Sequence, residues 1–532
     1  MNVLAHSCGC SLFLLSENYR LMKGGDGMSS HGKKIKWNLL SVIACQIITI
    51  GIGFLLPRLY IENFGSAVNG VLSTIKQIFT YLCLLEAGIG LASSQALLRP
   101  VATADRDSIN AILAATRQYY IRTGIVYSVA VTGIAVVYGF FVDTGLSAMT
   151  VAALVLLNGI PSMITFFIQG KYQILLETDG RQYILTNSQI ALQVLSGFGK
   201  IAVLLLTDSL VLMQATYCLF AVLQLLFVTV YGRRQYRWLN FRVRPDKGAI
   251  AQKNAVLLHQ ISAMVFNNTD ILLLSFISGF EAVSVYTIYH LFFTQVETFI
   301  AALVKGFNFA LGQLFSVDRK TFAEKYETYE MGYIAANFIV YTLMCVFLLP
   351  IVQIYTKGVT DADYYMPTAV LLFAVAKLLS AARMPANQVI EYAGGFKDTR
   401  WHAVTEMAIN LTVSVVCIFK WGICGALIGT IVAILFRSIA VVLYTNRRVL
   451  HRSPLKTFAL WGINGGVFLL IYAVFRADHF AGMRFLPLVG SGLLHMLWIV
   501  PLYMLANAAF RPQQAKRLFT ALKVRMRKHE HA

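Results

Sequence analysis

Apolar residues fill long stretches of this chain, and polar residues concentrate in the short segments between them. An α-helix rises about 1.5 Å per residue, so roughly twenty apolar residues cross the ~30 Å hydrocarbon core of a bilayer. The pattern predicts an all-α polytopic membrane protein with about fourteen transmembrane helices. Their approximate ranges are 37–56, 71–97, 122–142, 148–170, 183–206, 210–231, 254–277, 282–304, 332–356, 367–392, 403–419, 423–444, 457–475 and 486–506.

The overall composition agrees with this pattern. Of the 532 residues, 57% are hydrophobic and only 13% are charged. The mean hydropathy is +0.65. A soluble chain of this length would divide into several domains with charged surfaces, which the composition excludes.

Lysine and arginine are distributed unevenly between the two sides of the predicted topology. Short cytoplasmic loops of membrane proteins accumulate these residues. With the N-terminus inside, 35 of the 45 basic residues fall in cytoplasmic segments and five fall outside. We therefore predict that both termini are cytoplasmic. The net charge of +20 is explained by basic loops facing anionic membrane lipids, and we expect no nucleic-acid partner.

A weak internal repeat divides the predicted helices into groups. Phe64 to Val71 resembles Gly279 to Tyr286 at an offset of 215 residues, and each stretch leads from an outside turn into a long helix. Six spans separate the copies, so both copies enter the membrane in the same direction. The predicted regions are a flexible N-terminal segment (1–32), a first six-helix bundle (33–231), a basic cytoplasmic linker (232–253), a second six-helix bundle (254–446), helices 13 and 14 (447–506) and a basic cytoplasmic tail (507–532).

The loops between the predicted spans argue against an enzyme. Two six-helix bundles outline an alternating-access transporter, whereas an integral enzyme needs a sizeable polar loop for its catalytic groups. The predicted outside loops are short, and the larger cytoplasmic loops have no convincing carboxylate pair, metal cluster or nucleophile. We expect no catalytic residues, metal or cofactor. The cysteines are scattered singly as small core residues, with a disulfide between Cys417 and Cys424 as the alternative.

Several basic residues fall within the predicted spans or at their ends. A charge at mid-membrane costs about 2.5 to 3.5 kcal/mol, so such residues usually face a cavity, a partner or an interface. Basic side chains supply both charge and hydrogen-bond donors, which suits an anionic ligand such as a pyrophosphate. For Arg437, reaching the lipid headgroups is an equally good interpretation. The candidate substrate-binding residues are Arg58, Lys76, Lys200, Lys377, Arg383 and Arg437.

Polar residues recur at helical spacing in three spans. Residues three and four positions apart lie on one face of a helix. We predict that these faces line a wet interior, with helix-to-helix hydrogen bonding as the alternative. The stripes are Gln189, Gln193, Ser196 and Lys200 in span 5, Arg383, Asn387 and Glu391 in span 10, and Glu406, Asn410 and Ser414 in span 11.

Four carboxylates are candidates for coupling transport to an ion gradient. An isolated carboxylate among amides in a membrane can bind Na⁺ or carry a proton between two states of a transporter. Asp270 follows Asn267 and Asn268 and fits this description best, although a salt bridge to a lysine is an equal alternative. The candidates are Asp270, Glu86, Glu297 and Glu391.

Several segments of the chain resemble a known family. In the first half of the chain they are Trp37 to Pro57, Phe64 with Gly65, and Gly88 to Gly90. In the second half they are Asn268 to Asp270, Ala282 to Tyr286, Asn410 with Leu411, and Gly422 to Thr430. Because of these segments, the region from about Lys33 to Leu450 is similar to the polysaccharide transporters of the multidrug/oligosaccharidyl-lipid/polysaccharide exporter superfamily, the Wzx-type flippases.

This resemblance implies a MATE-like fold of two six-helix bundles plus two C-terminal helices, with a cationic cavity. It implies transport of an undecaprenyl-pyrophosphate-linked oligosaccharide across the bacterial cytoplasmic membrane, coupled to a Na⁺ or H⁺ gradient. Polysaccharide polymerase or assembly proteins are further candidate partners. Two alternatives stay open: a lipid II-type precursor flippase or MATE-like drug exporter of the same fold, and a membrane glycan polymerase or ligase, which would need a long outside loop.

Overall fold

The computed structural model describes residues 48–246, 248, 253–476 and 479–518. The predicted N-terminal segment, much of the first span and most of the C-terminal tail lie outside these residues. The described part of the chain is helical and contains no strand. The prediction of an all-α polytopic membrane protein is confirmed, whereas the orientation of the termini stays a prediction.

The helices fall into two compact units, with the division after Ser275. In the first unit the helices are α1 (48–64), α2 (Ser66–Leu82), α3 (Leu84–Ala102), α4 (Arg106–Phe141), α5 (Ala148–Ile164), α6 (Gly170–Thr178), α7 (Gln182–Leu206), α8 (Leu210–Gln235) and most of α9 (Lys253–Ile277). In the second unit they are α10 (Phe280–Val317), α11 (Arg319–Tyr355), α12 (Pro367–Ala393), α13 (Phe396–Tyr444), α14 (Leu455–Val474) and α15 (Phe485–Phe510).

Ten helices in the described part of the chain are long and apolar enough to cross a membrane. One of them extends over 52 residues and contains both span 11 and span 12. Among the other predicted spans, the described residues 48–56 of the first fall on α1, 254–277 falls on α9, and 71–97 falls on α2 and α3. The fourteen predicted apolar runs therefore all fall on helices wherever the structure describes them.

A sharp reversal at Gly422 separates spans 11 and 12 within α13. Gly422 has φ 51° and ψ −124°, a conformation that favours glycine over residues with a side chain. The two halves of this hairpin pack closely, because a Cβ atom at Gly425 would lie 2.2 Å from the carbonyl oxygen of Cys417. Cys417 and Cys424 are free thiols, so the alternative of a disulfide across this hairpin is wrong.

Several helices begin well before the apolar run that predicted them. α11 starts at Arg319 because the Asp318 carboxylate accepts hydrogen bonds from the backbone N–H groups of Lys320 and Thr321 at 3.0 and 3.1 Å. Hydrogen bonding with Thr321 lowers the pKa of Asp318. Such caps satisfy N–H groups that lack a partner in the first turn of a helix. Hydropathy detects the membrane-crossing part of a helix and misses its capped polar extension.

Aromatic side chains fill the interior of each unit. In the first unit Tyr127 is fully buried, and its ring centroid lies 5.1 Å from that of Phe166. In the second unit Phe293 and Phe373 stack with centroids 5.3 Å apart. These contacts hold the helices that carry the polar residues described below.

Candidate functional site

Two lysines of the first unit lie close enough for their charges to repel each other: Lys76 on α2 and Lys200 on α7. The Lys200 Nζ atom also lies 4.6 Å from the ring centroid of Tyr217. Among the described residues, no carboxylate forms an ion pair with either lysine. The side chain of Lys76 is exposed and that of Lys200 is half-buried.

The polar stripe of α7 lies on the same helix as Lys200. Gln189 and Gln193 are half-buried, and Ser196 is buried with its hydroxyl 3.5 Å from the backbone oxygen of Gln193. These residues occupy successive turns of α7, as their spacing predicted. The lysine pair and the stripe together give the first unit a polar, positively charged face.

Arg58 differs from these two lysines because it has a carboxylate partner. Its guanidinium forms an ion pair with Glu62, one turn further along α1. Both residues lie near the end of that helix, which is followed by Gly65. The positive charge of Arg58 is therefore already neutralised locally.

A buried triad in the second unit joins three residues from two helices. The Glu406 side chain is fully buried, and its Oε1 atom accepts a hydrogen bond of 2.5 Å from Nη1 of Arg383. Its other carboxylate oxygen accepts a hydrogen bond from Arg437, in the second half of α13. Two guanidinium groups thus share one carboxylate, and the triad retains one positive charge.

The triad continues into a second ion pair. Lys377 on α12 donates to Glu297 on α10 at 2.5 Å. The charges of Glu297 and Arg383 also interact, so positive and negative groups alternate from Lys377 to Arg437. Glu297, predicted as an ion-coupling residue, is therefore half of an ion pair with Lys377, a predicted substrate-binding residue.

The remaining candidates are dispersed. Asn410 is buried, and its amide donates to Thr430 at 3.0 Å across the α13 hairpin, whereas Asn387 is half-buried. Glu391 is exposed near the end of α12, and the side chain of Glu86 is outside the described residues. Asn410 therefore joins the two halves of the α13 hairpin.

Asp270 lies in the first unit. It is buried on α9, and its charge interacts with the Tyr81 hydroxyl of α2. That hydroxyl is hydrogen-bonded to Thr269 at 2.6 Å. α9 is thereby tied to the helix that carries Lys76.

A second buried ion cluster, which the sequence did not reveal, anchors the C-terminal helices to α11. Glu330 is 1% exposed and accepts from Arg452 at 2.8 Å, Arg511 at 3.1 Å and the Thr457 hydroxyl at 2.9 Å. From the sequence, both arginines count among the cytoplasmic basic residues, with no carboxylate partner predicted for either. Glu330 lies just before predicted span 9, so its burial gave no hydropathy signal.

The described residues contain no group of His, Cys, Asp and Glu side chains that could hold a metal ion.

No family model matches the chain, and no curated protein matches it. The fold is nevertheless similar to solved transporter structures. The lipid II flippase MurJ, in an inward closed conformation, has a TM-score of 0.63 at 12% sequence identity, over 88% of this chain and 98% of MurJ.

Two other structures are similar over about three quarters of the chain. An inward-facing multidrug resistance MATE family transporter has a TM-score of 0.59 at 13% identity, over 77% of this chain and 94% of that one. A MOP superfamily transporter from Pyrococcus furiosus, with a binding pocket of reverse polarity, has a TM-score of 0.51 at 13% identity. The similarity covers 77% of this chain and 96% of that one. This chain therefore has the helical fold that the MATE transporters and the lipid II flippase MurJ share.

Proposed function

We propose that this chain is a flippase that moves an undecaprenyl-pyrophosphate-linked oligosaccharide repeat unit across the bacterial cytoplasmic membrane by alternating access. The product would serve capsule, exopolysaccharide or O-antigen synthesis. The observation that carries the proposal is the Lys76–Lys200 pair: the two like charges interact, and neither lysine has a carboxylate partner among the described residues.

The pyrophosphate is the part of the substrate that this pair would recognise. Two ammonium groups repel each other more strongly in a low-dielectric interior than in water. A pyrophosphate between them would replace repulsion with charge-assisted hydrogen bonds. Tyr217, which faces Lys200, positions the ammonium group while leaving its charge uncompensated.

The charge of the second unit supports an anionic substrate as well. The Arg383–Glu406–Arg437 triad has one positive charge in excess, and Arg437 keeps 27% of its side chain exposed. An exporter of cations would be expected to present excess negative charge instead. In the proposal, Arg437 is the member of the triad that meets the substrate.

Asp270 is the proposed coupling residue for Na⁺ or H⁺. It is buried on α9 next to Thr269, whose hydroxyl is hydrogen-bonded to Tyr81. Tyr81 lies on α2, the helix that also carries Lys76. A carboxylate in this position can change its ion occupancy as the transporter changes state. Binding of the ion and of the anionic substrate would then be linked through α2.

A lipid II-type precursor flippase is the second candidate. The observation that favours it is the likeness to MurJ, which extends over 88% of this chain. The two candidates share the fold and differ in the glycan. A panel of lipid-linked glycans offered to the same vesicles would separate them.

Substituting glutamine for either lysine is expected to slow translocation about tenfold or more, because each charge-assisted hydrogen bond contributes ~1.5–3 kcal/mol. The measurement is flipping of a fluorescent undecaprenyl-pyrophosphate-linked glycan in vesicles containing Lys76→Gln or Lys200→Gln protein. Arg122→Gln is the control, since Arg122 is an exposed residue of α4 in the same unit. Wild-type rates in both lysine variants would refute the role of the pair.

A further inference from the structure

The segment after α8 folds back onto the first unit, although the sequence predicted a linker there. The backbone N–H of Asn240 donates to the Asn110 side chain at 3.0 Å, and that of Asp246 donates to the Ala111 oxygen at 3.1 Å. Tyr236 is buried, and its hydroxyl donates to Asp179 at 2.6 Å. Residues 236–246 are therefore fixed against α4 and the end of α6.

This segment places Phe241 beside basic side chains from two helices, α4 and α6. The Lys171 Nζ atom lies 4.9 Å from the centroid of the Phe241 ring, and the Arg117 guanidinium lies 6.0 Å from it. The charge of Lys171 interacts with those of Arg117 and Arg233. Two positive charges, from α4 and α6, thus lie beside one aromatic ring, and a third, from α8, interacts with that of Lys171.

These three cations have no carboxylate partner among the described residues. Asp179, at the end of α6, is already bound by Arg181 at 3.0 Å and by the Tyr236 hydroxyl. Arg117 and Arg233 have exposed side chains. The three like charges therefore repel one another, and a bound anion would reduce this repulsion. The two exposed arginines make the cluster accessible to such an anion.

The surroundings of the cluster resemble the membrane interface. Trp238, in the same segment, lies under the Arg106 guanidinium at 5.1 Å and contacts Tyr236 with ring centroids 6.3 Å apart. Tryptophan and tyrosine concentrate at the level of the lipid headgroups. Arg233 lies in the last turn of α8, where basic residues next to a membrane-crossing helix meet the headgroups of the adjoining leaflet.

We infer that Arg117 and Lys171, which lie beside Phe241, bind the phosphate of an anionic phospholipid headgroup together with Arg233. The phosphate oxygens accept hydrogen bonds from the three side chains, while the acyl chains stay in the surrounding bilayer. Basic pockets between helix ends are known to suit such headgroups. This site is independent of the Lys76–Lys200 pair, and a free phosphate would lack the acyl chains that hold the ligand at this height.

The test is thermal unfolding of the purified full-length protein in detergent, titrated with short-chain phosphatidylglycerol. A ligand that binds the folded state raises the melting temperature in proportion to its occupancy. Lys171→Gln is expected to weaken the apparent affinity about fivefold, the effect of one basic residue near a headgroup. Phe241→Ala, which keeps every charge, is expected to weaken it as well, because the ring positions the cations.

Arg234→Gln is the matched control, because it removes an exposed charge one residue from Arg233 and outside the cluster. It should bind like the wild type. Phosphatidylcholine of equal chain length should give no shift. The inference is overturned if inorganic phosphate at the same concentration reproduces the shift, or if Lys171→Gln and Arg234→Gln weaken binding equally.

Discussion

Glu406→Gln is expected to destabilise the second unit by about 3–5 kcal/mol, because it leaves two guanidinium groups in a protein interior without their shared counter-ion. Glu406 is fully buried, and Arg383 is only 8% exposed. Glutamine has nearly the same size and can still accept hydrogen bonds, so the loss comes from charge and not from a cavity. The measurement is the unfolding midpoint of the purified protein in detergent.

A triple variant separates this electrostatic explanation from a packing defect. Apolar residues of similar volume often replace a buried ion network at little cost. Arg383→Met combined with Glu406→Leu and Arg437→Met is therefore expected to fold with a midpoint closer to wild type than the single variant. The electrostatic account fails if the triple variant is the less stable of the two.

Glu330→Gln is expected to loosen α14 and α15 from α11, with a cost of about 3 kcal/mol or more. Arg452 and Arg511 both depend on this carboxylate, and Arg511 is 7% exposed. A loss of this size corresponds to an increase of roughly a hundredfold in the equilibrium constant for local opening. Hydrogen exchange of backbone amides in α14 and α15 measures that opening directly.

The chain offers a matched control for this variant. Glu324, also on α11, pairs with Arg517 at 3.1 Å, but both side chains are 53% exposed. Exposed pairs contribute about 0–1 kcal/mol, so Glu324→Gln should leave exchange in α14 and α15 almost unchanged. Equal exchange in the two variants would contradict the assignment of Glu330 as the anchor.

The sequence predicted the helices well because hydrophobic length is a local property. Every predicted span lies on a helix in the described part of the chain. The helix starts at Arg106 and Arg319 were missed because caps such as Asp318 extend helices beyond the hydrocarbon. Gly422, by contrast, lies between two predicted spans where a turn was expected.

The charged residues were located correctly within spans, but their partners were not predictable. Glu406 is 23 residues after Arg383 and 31 before Arg437, so their contact depends on how α12 and both halves of α13 pack. Helical spacing indicates which residues share a face of one helix and says nothing about the helix opposite. The number of basic residues in a loop likewise does not indicate which of them are buried, as Arg511 is, and which are exposed.

Ion pairing within the protein also determines which of the predicted basic residues are available to bind a substrate. Arg58 and Lys377 each have a carboxylate partner, and Arg383 lies inside the triad. Lys76 and Lys200 are the two predicted cations for which the described residues supply no such partner. We therefore propose that these two lysines of the first unit, more than a generally cationic cavity, select the substrate by its negative charge.

The most direct measurement is translocation of one glycan on two carriers, undecaprenyl pyrophosphate and a neutral polyprenyl lipid, in the same vesicles. Wild-type protein is expected to move the pyrophosphate-linked form about tenfold faster or more, and Lys200→Glu is expected to abolish that preference. Equal rates for the two carriers in wild-type protein, or a preference that survives Lys200→Glu, would contradict the account.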